Sequence, residues 1–297
     1  MRPPSGTDDR PRQLLVSGHV NIDRFLSVRR FPAPDRTVPI EAHRVALGGT
    51  AATIARVASR YGVATGLVAR LGDGFPATFR SALRAAGIDL RGLETVAREP
   101  TPTCYIVEDE DGDQRTLIDQ GPMGHAGSAS LPGRWLAEYS WVHLTTADPS
   151  FQLRLAAAAR RVGVKVAADP AQEIHYRWDR AHFLTLLARS EILFGNRSEI
   201  ARALEFAGVR RPGALLDRVP LIVRTEGEDG ATAFARTGAV HVPAIRARRI
   251  RSVVGAGDAF RGGFYAAWFE GEPLTGCLRA GARASARWME SAGGAGA

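Results

Sequence analysis

Lysine is almost missing from this chain. Of its 39 basic residues only Lys165 is a lysine, so no glycine-rich loop ends in Lys-Ser or Lys-Thr and the P-loop route to holding a nucleoside triphosphate is closed. Cysteine is scarce too. Cys104 and Cys277 are the 2 cysteines in 297 residues, too few and too isolated for a disulfide framework or a metal cluster, so both are expected as buried thiols without redox chemistry. No apolar run approaches the ~18 residues a membrane span needs. Residues 1–12 are polar and proline-rich, lack the apolar core of a secretory signal, and read as a disordered tail on a cytoplasmic protein. The formal net charge of +8 raises nucleic acid as a partner, but the arginines are scattered along the chain rather than gathered in one block. No nucleic-acid or membrane partner is therefore expected.

What is present is ordinary globular material, 45% hydrophobic and 24% charged, long enough for one large α/β domain or for a domain with a small appendage. Apolar runs at 14–17, 64–71, 141–144, 165–168, 192–194 and 221–225 read as strands. Segments 50–61, 77–86, 151–162 and 274–290 read as helices, the first with Ala51, Ile54, Ala55 and Ala58 on one face. This alternation predicts a mostly parallel sheet with right-handed crossovers, to which 231–235 adds an antiparallel strand. Two stretches break the pattern. Residues 25–47 carry Pro32, Pro34 and Pro39 and look extended, and between Pro100 and Pro122 two β runs flank an acidic turn at 108–113. That turn is too short for a calcium loop and lacks its closing Glu. Together the two stretches predict a small β-sheet lid of 25–47 and 99–119 on a large domain of 13–24, 48–98 and 120–297, with a short tail at 293–297.

The most informative stretch is 252–264, where Gly255-Ala256-Gly257-Asp258 opens an apolar helix. Gly255 and Gly257 let the backbone come close to a ligand, and the first amides of the helix, which have no intrahelical acceptors, suit a developing phosphoryl charge. Asp258 is then a base in the same pocket, or alternatively a helix cap. Asn21-Ile22-Asp23 is expected at the end of the first buried strand, where the Asp23 carboxylate can accept from two neighbouring sugar hydroxyls. Gly48-Gly49 before a helix permits close approach of a ligand. Asp169 and Gln172 follow a strand and are candidates to touch it, while His143, in an apolar run, reads as a core histidine. Asn196 and Glu199, three apart at a strand-to-helix junction, form a capping-box pattern. Alternatively, Glu199 reaches a phosphate-bound magnesium ion through water. Gly227 and Gly230, just after Thr225, make a turn that can border a nucleotide base and ribose.

Taken in order, Gly18 to Asp23, Gly48-Gly49, the hairpin, Asn196-x-x-Glu199, Thr225-x-Gly227 and Gly255-Ala-Gly-Asp258 resemble the ribokinase-like (PfkB) carbohydrate and nucleoside kinases over about residues 14–294. Gly18-His-Val-Asn-Ile-Asp23, Phe31-Pro-Ala-Pro34, Thr146-Ala-Asp-Pro-Ser-Phe151 and Asp169-Pro-Ala-Gln172 are similar to the archaeal-type nucleoside kinases of that family. The resemblance implies a three-layer α/β/α fold with a lid, and ATP- and magnesium-dependent phosphorylation of a primary hydroxyl. It makes Asp258 the base, Gly255, Ala256 and Gly257 the anion hole, and Asn196 and Glu199 the outer magnesium sphere. Asp23, Gly49 and Gln172 would hold the sugar, with Thr225 and Gly227 on ATP.

Three features depart from the family pattern. Ser252-Val-Val254 replaces the usual Asp-Thr-Thr or Asp-Pro-Thr, which leaves a monovalent-cation site unassigned. Thr53 stands where an Asn is expected, and the chain stops soon after Gly294. The leading expectation is phosphorylation of a nucleoside 5′-hydroxyl. The alternatives are a sugar or sugar-phosphate kinase of the same fold, or a non-catalytic ligand-binding member. A homodimer through the exposed lid face is also expected.

Overall fold

The computed structural model describes residues 12–291; the expected tail at 293–297, and all but the last residue of that at 1–12, lie outside them. The chain opens with β1 (Arg12–Ser17), crosses to the lid for β2 (Asn21–Ser27) and β3 (Ala42–Gly48), then returns through α1 (Thr50–Arg60), β4 (Thr65–Asp73), α2 (Ala77–Ala85) and β5 (Asp89–Pro100). A second excursion makes β6 (Thr103–Glu108) and β7 (Gln114–Asp119). The βα alternation resumes with β8 (Tyr139–Leu144), α3 (Pro149–Arg161), β9 (Lys165–Ala168), α4 (Arg180–Leu187), β10 (Ile192–Asn196), α5 (Arg197–Ala207) and β11 (Leu221–Thr225). The hairpin β12 (Ala231–Ala235) and β13 (Gly238–Val242) precedes α6 (Ala256–Phe269) and α7 (Leu274–Glu290).

Among the described residues the strands form a 9-stranded sheet, ordered β13-β12-β11-β10-β9-β8-β1-β4-β5, and a 4-stranded lid, ordered β3-β2-β6-β7. The large sheet is parallel except for β12 and β13. Its central strands are buried on both faces, with the edge strands β5 and β13 largely exposed, and the central side chains alternate between two cores. In β1, Leu14 and Val16 join Ile54, Phe264, Trp268 and Leu278, while Leu15 joins Val142, Phe151, Phe183 and Ile200 on the other side. Helices α1, α6 and α7 thus cover one face and α3, α4 and α5 the other, each fully buried Leu or Phe contributing about 1.5–3 kcal/mol.

The packing of α6 fixes its position closely. A Cβ on Gly262 would stand 2.7 Å from Val57 of α1, and one on Gly263 would stand 2.7 Å from the Ala280 carbonyl of α7. Larger residues would push the helix, and Asp258 with it, off both neighbours.

The lid is built as expected from the two stretches that break the alternation, joined by parallel pairing of β2 with β6. Its borders differ, however. β2 begins at Asn21 and β3 runs through Gly48, so Asp23 belongs to a lid strand and not to the end of the first core strand. The acidic turn closes on itself, with Asp109 Oδ1 accepting from the amides of Asp111 and Asp113 at 3.1 and 3.0 Å. Cys277 is buried as expected, whereas Cys104 is half-buried on the Asp23 face of the lid. Burial pushes both thiols up to about 12, so neither is a thiolate at neutral pH.

Candidate active site

Asp258 lies in the first turn of α6, behind an N-cap at Gly255 whose φ of 79° is left-handed. A side chain at Gly255 would be strained there, and its Cβ would stand 3.0 Å from Trp288 Nε1. The Ser252-Val-Val254 turn is held by α7: the Trp288 indole donates to the Val254 carbonyl at 2.8 Å, and the Arg251 amide to the Met289 carbonyl at 2.9 Å. Among the described residues the amides of Gly255 and Gly257 have no acceptor. The Ala256 amide differs. It donates to the Val253 carbonyl at 3.1 Å, so the turn itself occupies one of the three expected donors. The cap reading of Asp258 also fails, since no side chain caps this helix.

The Asp258 carboxyl is pushed up to about 8, first by burial, with Asp169, Glu199 and Asp23 raising it further and Arg261 lowering it. A base poised near the working pH suits proton abstraction. Asp169 is fully buried, and Arg261 Nε and Nη2 grip both of its oxygens, the second at 2.9 Å. His143 Nε2 stands 3.2 Å from the same carboxylate and Nδ1 is 2.9 Å from the Tyr265 hydroxyl, which bears out His143 as a core histidine. Although burial opposes it, Arg261 and His143 hold Asp169 well below the usual carboxylate range. The expectation that Asp169 touches a ligand is therefore corrected: both of its oxygens are engaged inside the protein. Gln172 is exposed just beyond, after Ala171, whose φ of 51° is left-handed for a residue with a Cβ. Such strain is kept where surrounding structure requires the geometry.

Asn196 and Thr225 end neighbouring strands and are direct register partners. The capping box is real: Asn196 Oδ1 accepts from the Glu199 amide at 2.9 Å, and Glu199 Oε2 from the Asn196 amide at 2.7 Å. Glu199 is only 6% exposed, and burial raises its carboxyl. Capping uses Oε2 alone, leaving Oε1 for another role. Gly227 and Gly230, at φ 62° and 102°, bound a turn that follows Thr225. The turn is locked by buried Glu226, which accepts from Arg224 and Thr232 at 2.7 and 3.0 Å, and by Arg197, 2.8 Å from Asp229. No group of three or more His, Cys, Asp or Glu side chains able to hold a metal occurs among the described residues. The hard oxygens of Asn196 and Glu199 nonetheless fit a magnesium ion held mainly by phosphates and water.

Across the cleft, Asp23 is 8% exposed and burial pushes its carboxyl up to about 7, against Arg44. Gly48 leaves the space that this carboxyl fills. Gly49, at φ 98°, has no room for a Cβ between the backbones of His19 and Asn21. Asn21 Oδ1 is buried without a partner among the described residues, and Thr53 is buried on α1. Sequence reasoning missed His19, whose ring nitrogens face the carbonyls of Thr146 at 2.9 Å and Gln120 at 3.1 Å. Burial lowers it to about 4, keeping it neutral, so its one N–H donates to one of these two carbonyls. Arg261 was missed too. Its signal was a lone arginine in the apolar start of a helix, where a charge must be paired.

The carboxyl ends of β9 and β10, the start of α6 and the Asp23 face of the lid thus bring Asp169, Glu199 and Asp23 within electrostatic reach of Asp258. That is the arrangement of a phosphotransferase acting on a hydroxyl group. The sequence pattern of the pfkB family carbohydrate kinases matches residues 11–296, and the chain belongs to that family. It is 32% identical over 274 residues to a nucleoside kinase of Methanothermobacter thermautotrophicus, covering 90% of this chain and 86% of that one. It is also 32% identical over 257 residues to an ATP-dependent ribose-1-phosphate kinase of Halopiger xanaduensis, covering 86% and 84%. The fold superposes on the crystal structure of Methanocaldococcus jannaschii nucleoside kinase with a TM-score of 0.89 at 26% identity, over 96% of this chain and 94% of that one. Among the described residues no helix is long and apolar enough to cross a membrane.

Proposed function

We propose that this kinase transfers the γ-phosphoryl group of ATP to the 5′-hydroxyl of a nucleoside. The observation that carries the reading is that Asp23, on the lid, stands close enough to Asp258, at the start of α6, for its charge to raise the Asp258 carboxyl. Asp23 accepts from the ribose hydroxyls and, with the close backbone of Gly48-Gly49, sets the sugar so that its 5′-oxygen faces Asp258. Asp258 takes the hydroxyl proton as that oxygen bonds to the γ-phosphorus, while the bond to the β–γ bridging oxygen breaks and ADP leaves. The Gly255 and Gly257 amides receive the charge that develops on the phosphoryl oxygens. Thr225, Gly227 and Gly230 border the ATP, and Gln172 reaches the acceptor from the strained turn. Magnesium, when bound, offsets phosphate charge, and Asn196 and Glu199 would hold it through water. The nucleoside kinases among the relatives support this acceptor.

A second acceptor, ribose 1-phosphate, is favoured by Arg44. This arginine shares the lid face of Asp23, stacks 3.8 Å over Phe25, and has a buried Nη1 without a partner among the described residues. A phosphorylated sugar would fill that donor. ADP release from ATP and magnesium, measured against ribonucleosides and ribose 1-phosphate, tests both. Turnover confined to ribose 1-phosphate, and abolished by Arg44→Met, would replace the nucleoside reading. The outer lid face carries Val45, Arg24, Tyr105 and Leu117 in one exposed row across the four strands, which supports pairing of two copies. Light scattering of a wild type that stays monomeric at enzymatic concentrations would remove that proposal.

A further inference from the structure

Arg261 is 5% exposed in an otherwise apolar helical run of Ala259, Phe260, Gly262, Gly263 and Phe264. A charge in such a place is tolerated only when its donors are used. They are used across three separate strand–helix units. Nε and Nη2 grip Asp169 beyond the end of β9, Nη1 donates to the Gly257 carbonyl at 3.0 Å, and Nη2 stands 4.0 Å from Glu199 at the start of α5. Gly257 makes room for this, since a Cβ there would lie 3.1 Å from Nη1. The planar fork that engages both Asp169 oxygens and a carbonyl is a geometry lysine does not offer.

We propose that Arg261 is a positioning residue for phosphoryl transfer, fixing the first turn of α6 against β9 and α5 from one turn below and holding Asp258 usable as an anion. The charged groups acting on Asp258 are Arg261 from its own helix, Asp169 from the end of β9, Glu199 from α5 and Asp23 from the lid. Three are carboxylates that oppose its ionisation; Arg261 favours it. The inference rests on the reading of Asp258 as the base.

A brace with no electrostatic part would change activity alike at every pH. The test is the pH profile of kcat/KM for the acceptor in full-length wild type, Arg261→Gln, Arg261→Lys, Asp169→Asn and Asp258→Asn, with thermal melting to identify folded variants. Arg261→Gln and Asp169→Asn break the same ion pair but remove opposite charges. The acid limb of Arg261→Gln is expected to move to higher pH by on the order of one unit, with activity recovering on the alkaline side, and that of Asp169→Asn to lower pH. Arg261→Lys, keeping the charge without the fork, falls between wild type and Arg261→Gln. Limbs that move together or not at all overturn the proposal, as does full activity of Arg261→Gln at neutral pH. Where Asp169→Asn does not fold, identical limbs for the Gln and Lys variants overturn it. An active Asp258→Asn removes the base assignment and the inference with it, so the two failures are told apart.

Discussion

The carboxyl of Asp23 lies over the α-carbon of Gly48 on the neighbouring lid strand, closer than any side-chain atom at position 48 would permit. Asp23 can therefore keep this place only while position 48 lacks a side chain. Gly48→Ala is expected to displace Asp23 and lower kcat/KM for the acceptor by on the order of ten- to a hundredfold, the worth of one or two charge-assisted hydrogen bonds. Steady-state kinetics with the acceptor varied, beside a melting curve of the variant, measures this. Unchanged kinetics in a folded variant would show that Asp23 does not hold the substrate.

Asp258 makes stability depend on pH. Its carboxyl, lifted from 3.8 to about 8, keeps its proton in the folded protein over a range where the unfolded chain has released it. Stability contributed at low pH is therefore lost as pH rises from about 4 to about 8. Asp258→Asn removes that dependence and is expected to be more stable than wild type at pH 8, by about 1–2 kcal/mol after discounting for solvent screening. The gap should close toward pH 4. Thermal melts at the two pH values check this, and a variant that melts below wild type at pH 8 contradicts it.

The capping box and the proposed magnesium role of Glu199 separate by substitution. Glu199→Gln keeps an oxygen for the Asn196 amide but loses the charge. It should melt near wild type and need on the order of tenfold more magnesium for half-maximal rate. Asn196→Ala loses the cap and should cost about 1 kcal/mol of stability. Magnesium titrations at fixed ATP, paired with melts, read both; a Glu199→Gln variant with an unaltered magnesium requirement would leave Glu199 as a cap alone.

Much of this molecule is legible in local pattern. The alanine-rich periodicity at 274–290 coincides with α7 (Leu274–Glu290), and the Asn196-x-x-Glu199 spacing encodes a cap that any helix start would use. β5 and α4 escaped that reading. β5 is an edge strand paired through register shifts, with alternation too irregular to stand out, and α4 is short, with weak amphipathic order. Local pattern puts Asp23 on the wrong element because the chain leaves the core at Gly18 to Val20 through a crossing that only tertiary pairing defines. Asp169 was legible as a carboxylate after a strand, but its partner Arg261 lies 92 positions away. No local rule links them, and that pairing turns a candidate ligand contact into a buried ion pair.

The most direct test of Asp258-based transfer to a nucleoside 5′-hydroxyl is phosphorus NMR, with proton coupling, of the product formed from ATP, magnesium and a ribonucleoside by wild type and Asp258→Asn. A monoester signal split by the two 5′-methylene protons, formed by wild type and absent with the variant, is the expected result. A phosphate coupled to a single ring proton, or equal product from Asp258→Asn, would contradict it.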